Sequence, residues 1–95
     1  AMKFNQLTDH AQSRMQQRAI PPLILDWLQS YGAIEHDHRG AEVHYFNHDA
    51  KRRIAKDVGQ KVVDLLGALL DAYMVTSNQG DVITCGYRNK KINRV

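Results

Sequence analysis

The sequence predicts a single α+β domain: a small antiparallel sheet of about four strands, in two hairpins, with three helices packed on one face. Three observations predict it. Apolar residues recur at helical spacing through the first third of the chain, as expected for amphipathic helices. Two later stretches, Ala33 to Phe46 and Ala72 to Tyr87, break into short β-branched and aromatic runs around turn residues, the pattern of hairpins. With 95 residues and 43% hydrophobic content, the chain can bury one modest core and not two. A sheet covered by helices on one side leaves its other side open.

Thr8 or Asp9 can cap the first helix, which should run from about His10 to Ala19. Pro21 and Pro22 end it and preset the first turn of a second helix, where a missing amide proton costs nothing. Leu23, Ile24, Trp27, Leu28 and Tyr31 form that helix's core stripe, and Gly32 is placed to close it in a left-handed conformation. Ala33 to His36 and Glu42 to Phe46 read as strands joined across Asp37, His38, Arg39 and Gly40. Asn47 to Asp49 offers a third helix start. Ile54, Val58, Val62, Leu65, Leu66 and Leu69 then keep a helical repeat, although Gly59 can break the helix in two and Val62 to Leu70 alone also reads as a buried strand. Ala72 to Ser77 and Val82 to Tyr87 are the clearest strands, around the turn Asn78-Gln79-Gly80-Asp81.

The single cysteine, Cys85, has no internal partner, which fits a reducing compartment; flanked by apolar residues in a strand, it reads as a small core residue. No apolar run approaches the ~20 residues of a membrane helix, and the N-terminus lacks a signal-peptide pattern. The expected location is cytoplasmic, with residues 1–6 flexible and Ala1, ahead of Met2, a tag remnant. Lys and Arg number 13 against 10 for Asp and Glu, a formal charge of +3, which permits an anionic partner without demanding one.

The run His10-Ala11-Gln12-Ser13-Arg14-Met15-Gln16-Gln17-Arg18 places an imidazole and two guanidiniums four residues apart. His10, Arg14 and Arg18 then form a ribbon spanning about 80° of one helix. Metal-free RNA cleavage needs proton-transfer groups and cations for phosphorane charge, and His10, Arg14, Arg18, Tyr87 and Arg88 are residues of those types. The same spacing also arises on ordinary solvated helices, where Arg14 and Arg18 pair with acids such as Asp9 or Asp26. Lys51, Arg52, Arg53 and Lys56, with Lys90 and Lys91 after the last strand, make a candidate nucleic-acid-binding surface. Tyr45, Phe46, Tyr73 and Tyr87 can stack bases where they face solvent, and pack in the core where they do not. His36 and His38 share one strand face, but no spacing supplies a third ligand, so no metal or other cofactor is expected. No serine sits in a sharp glycine-flanked turn, and no glycine-rich phosphate loop occurs.

The His-Ala-x-x-Arg-Met-x-x-Arg-x-Ile run at positions 10 to 20 resembles the signature of a small bacterial domain-of-unknown-function family. So do the proline-started helix ending at Gly32 and the Val82-Ile83-Thr84-Cys85-Gly86-Tyr87-Arg88 strand. That family is more distantly similar to the RelE and BrnT type toxins of toxin-antitoxin pairs. The resemblance implies metal-independent ribonuclease action, an antitoxin protein as partner, and site roles for His10, Arg14, Arg18 and Arg88. Two positions depart from the pattern: Ala19 stands in place of a glycine, and Tyr87 in place of a histidine. With a reference pKa near 10, tyrosine is a poorer base at neutral pH.

The expectation carried forward is a toxin-like ribonuclease, with His10 in proton transfer, Arg14, Arg18 and Arg88 on phosphate, and Tyr87 assisting. The alternative is a non-enzymatic module that binds protein or nucleic acid through the same basic surface. A third reading is a homodimer formed through a free sheet edge.

Overall fold

The computed structural model describes residues 7–88. Along them run α1 (Asp9–Gln17), α2 (Pro22–Tyr31), β1 (Ala33–His36), β2 (Glu42–Tyr45), α3 (His48–Val58), α4 (Gln60–Leu66), a 3₁₀ turn (Gly67–Asp71), β3 (Ala72–Thr76) and β4 (Val82–Tyr87). The strands form one antiparallel sheet in the order β1-β2-β3-β4, which is the expected α+β class with two hairpins. Residues 1–6, with the readings made of them, and the candidate residues Lys90 and Lys91 lie outside the described residues. No helix among the described residues is long and apolar enough to cross a membrane.

The helices number four, with a 3₁₀ turn, where the sequence suggested three. Gly59 is the cause. Its φ of +100° is not helical, so the chain turns there and α4 starts with a new phase. The repeat read through Leu69 is thereby broken: Leu65 is 80% exposed and Val58 is exposed too, while Val63, Leu66 and Leu69 pack against the core. In α1 the Thr8 hydroxyl accepts from the Ala11 amide, and the helix stops at Gln17 rather than Ala19. Ala19 lies at φ +53°, a left-handed conformation that glycine adopts without steric cost. Gly32 closes α2, but at φ −66° and not in the left-handed region. A glycine is needed there for space, since a Cβ would collide with the Leu28 carbonyl oxygen and come within 3.2 Å of that of Tyr45.

The core face of the sheet is set by register. His44 pairs with Met74 and Met74 with Cys85, and all three are buried. Helix α1 lies along β4, with the Cys85 thiol 3.8 Å from the Ala11 carbonyl; α2 covers β2 and β3. Ile24, Leu25, Leu28, Ile54, Met74, Val82 and Cys85 are fully buried between these layers. Cys85 is the small core residue expected, its thiol pKa raised by burial against the lowering pull of Arg18 and Arg14.

The alternate strand residues Val43, Tyr45, Tyr73, Val75 and Thr84 point to the other side. They remain half-buried and take no part in the core cluster. Both helices that pack on the sheet sit on the core face, so this second face stays bare among the described residues.

Candidate nucleic-acid interface

The bare face is organised by one transverse row. Tyr45 on β2 pairs with Tyr73 on β3, and Tyr73 with Gly86 on β4, which places two phenol rings and a side-chain-free position in line. Arg18 fills the place over Gly86. As the C-cap residue of α1 it reaches the edge of β4, where its Nη1 donates to the Cys85 carbonyl at 3.1 Å. The same nitrogen lies 3.2 Å from where a Gly86 Cβ would be, and the Tyr73 hydroxyl lies at the same distance from that point. Arg18 and the tip of Tyr73 thus meet over the glycine.

Arg88 closes the other end of the row. Its guanidinium carbon stands 4.3 Å from the Tyr45 ring centroid, a cation–π stack that preorganises a planar cation. Its amide donates to the Asp71 carbonyl at 2.8 Å. The Tyr45 hydroxyl donates to Glu35 at 3.3 Å. Tyr45 and Arg88 also line a cavity of 340 Å³, together with Phe46, Asn47, His48, Leu70, Asp71 and Ala72.

The five residues proposed for proton transfer and phosphate binding do not converge. Thr8 bonds to β4 at Val82 and Ile83, and the Tyr87 hydroxyl donates to the Ala19 carbonyl, so α1 runs alongside β4 from its start to its end. His10, in the first turn of α1, therefore sits near the start of β4, whereas Arg88 follows its end. At about 3.3 Å per strand residue, that places them on the order of 15 Å apart. His10 is exposed and its Nε2 accepts from Arg14 Nε at 3.3 Å, while Arg14 Nη1 donates to Gln17 at 3.2 Å. Tyr87 is on the core face, its hydroxyl engaged at 3.1 Å and its pKa raised chiefly by burial. It fastens the α1–α2 turn to the sheet. Only Arg18 and Arg88 reach the bare face.

The basic surface of α3 also divides. Arg53 turns towards α2, donating to the Tyr31 carbonyl at 2.6 Å and lying 6.0 Å from the Tyr31 ring centroid. Lys51 and Arg52 instead line a hollow between α3 and α4, and Lys56 is exposed outside it. Sequence reasoning missed His48, which lines the same cavity as Arg88. The two are far apart in the chain and share that cavity because α3 starts directly after β2, where Asn47 caps it with its side chain accepting from the Ala50 amide at 2.8 Å.

The histidines of the first hairpin lie elsewhere, on the core face. His36 and His44 stand 3.6 and 3.7 Å from the two carboxylate oxygens of Glu42, beside a 490 Å³ cavity at the hairpin turns. His44 is 5% exposed, faces the Thr76 hydroxyl at 3.1 Å and has its pKa lowered chiefly by burial. No three His, Cys, Asp or Glu side chains among the described residues converge as a metal ion requires. Compared with known proteins, the chain matches no family model, no curated protein and no solved structure.

Proposed function

We propose that the chain binds single-stranded RNA across the bare face of its sheet, without needing to cut it. The carrying observation is the row Tyr45, Tyr73, Gly86 with Arg18 at one end and Arg88 stacked at the other. Every base has a flat face that stacks on an aromatic ring or a guanidinium, and such stacking contributes about 1–3 kcal/mol per base. Guanidiniums bind phosphate through paired hydrogen bonds, so two of them flanking two rings fit a flexible strand with exposed bases. A rigid duplex offers no base faces to that row. Asp71, which lines the same cavity as Arg88, carries a carboxylate that can accept from a ribose 2′-hydroxyl, which favours RNA over DNA.

The test is fluorescence anisotropy with a labelled single-stranded RNA over a range of salt. Binding should weaken with salt, and each of Arg18→Ala and Arg88→Ala should reduce the log–log slope by about 0.7, the contribution of one phosphate contact on a single strand. Salt-independent binding, or two variants indistinguishable from wild type, overturns the reading.

The toxin-like ribonuclease remains a second reading because of one observation: His48 lines the same cavity as Arg88. There its imidazole would take the 2′-hydroxyl proton as the 2′-oxygen attacks phosphorus; the 5′-oxygen would leave with a proton from solvent, giving a 2′,3′-cyclic phosphate. Cleavage lost in His48→Ala and kept in His10→Ala supports this second reading. Intact RNA after prolonged incubation with wild type rejects it.

A further inference from the structure

We propose that the RNA path continues beyond Arg88, past His48 and into the groove between α3 and α4, so that the chain prefers strands long enough to fill both. This rests on the RNA reading above and adds the route and the strand length. His48 is a wall of two hollows. One is the cavity that Tyr45 and Arg88 also line. The other, of 360 Å³, is lined by His48, Lys51, Arg52, Ala55, Gln60 and Val63. A strand leaving the bare face at Arg88 meets the imidazole and then the groove, with no element of the sheet to cross.

The groove has the composition for a phosphodiester strand. Among its lining residues Ala55 and Val63 offer apolar contact for ribose or base, while Lys51 and Arg52 provide cations. Among the described residues both cations are held by weak pairs that phosphate can replace. Lys51 is 3.9 Å from Asp71, and Arg52 pairs with Asp49 within the same helix, its side chain 72% exposed. Exposed pairs of this kind contribute about 1 kcal/mol or less. Arg53, one position further, is held against Tyr31 by a hydrogen bond and a ring contact and lies off the route. The α3 basic cluster thus divides into two cations that contact the strand, Lys51 and Arg52, and two that do not, Arg53 and Lys56.

The experiment compares oligouridines of about four and about twelve nucleotides, within the range of single-strand sites on small domains, by anisotropy at two or more salt concentrations. Wild type should bind the longer strand more tightly and with the steeper salt slope. Lys51→Ala/Arg52→Ala should lower affinity for the longer strand about tenfold, cut its slope by about 1.4, and leave the shorter strand unchanged. Arg53→Ala should bind both strands like wild type. Equal affinity for the two lengths, or a double variant that keeps wild-type affinity for the longer one, overturns the extended path and leaves the bare-face reading intact. If wild type binds neither length, both fall together.

Discussion

Gly86→Ala should separate the proposed RNA surface from the stability of the fold. The added methyl would stand 3.1 Å from Tyr73 Cε1 and 3.2 Å from both the Tyr73 hydroxyl and Arg18 Nη1. Comfortable carbon contacts begin near 3.5 Å, so both neighbours must withdraw by a few tenths of an ångström. Each is the tip of a flexible side chain and can do so. Gly86 has no positive φ to lose, and glycine inside a strand costs roughly 0.5–1 kcal/mol relative to alanine. That gain offsets the crowding and holds the net stability change within about 1 kcal/mol. Binding should respond differently, because Arg18 can withdraw only by stretching its 3.1 Å bond to the Cys85 carbonyl. A displaced guanidinium loses its hold on phosphate, and a hydrogen bond from a charged donor contributes about 1.5–3 kcal/mol; the lower end is equivalent to about tenfold in affinity. Urea unfolding followed by RNA titration of the same sample measures both. Wild-type affinity in a well-folded variant would refute the role given to Arg18 over Gly86. A large loss of stability would refute the estimate of how easily its neighbours yield.

Ile54→Ala should destabilise the domain by about 2–5 kcal/mol, since Ile54 is fully buried in the main core; a smaller shift in the urea midpoint would show that α3 is loosely held. Ala19→Gly should stabilise by about 0.5–1 kcal/mol, because it relieves an alanine at φ +53°; thermal unfolding reads the gain. Burial lowers the His44 pKa below its ordinary 6.5, so the unfolded chain takes up this proton first. Stability should therefore be unaffected above pH 6.5, fall as the pH drops below it, and level off once the folded-state pKa is passed. His44→Gln should remove that step, observed by unfolding at a series of pH values.

What was legible in the sequence was local. Pro21 and Pro22 announce α2 because proline fixes the backbone where no amide bond is needed, and Thr8 announces α1 through a cap only three residues long. Gly32 was correctly marked as the end of α2 for a reason that did not hold: the crowding that requires a glycine comes from Leu28 and Tyr45, and the latter is on another element. The helical repeat through Leu69 misled because periodicity counts residues while Gly59 resets the phase in space. The candidate site was legible only in part. Arg18 and Arg88 could be picked out by type. The Tyr45–Tyr73–Gly86 row depends on strand register, and the cavity shared by His48 and Arg88 depends on where α3 leaves the sheet; no spacing along the chain encodes either. His10 and Arg14 looked equivalent to Arg18 on a helical wheel, yet of the three only Arg18, at the helix terminus, reaches round β4 to the bare face.

The most direct test of the central claim is an NMR titration of isotope-labelled protein with single-stranded RNA, following backbone amides and tyrosine rings. Shifts concentrated at Tyr45, Tyr73, Val75, Thr84 and Gly86, with the His10 to Arg14 surface unmoved, are the predicted result. Shifts centred on the outer surface of α1, with the bare sheet face unchanged, would contradict it.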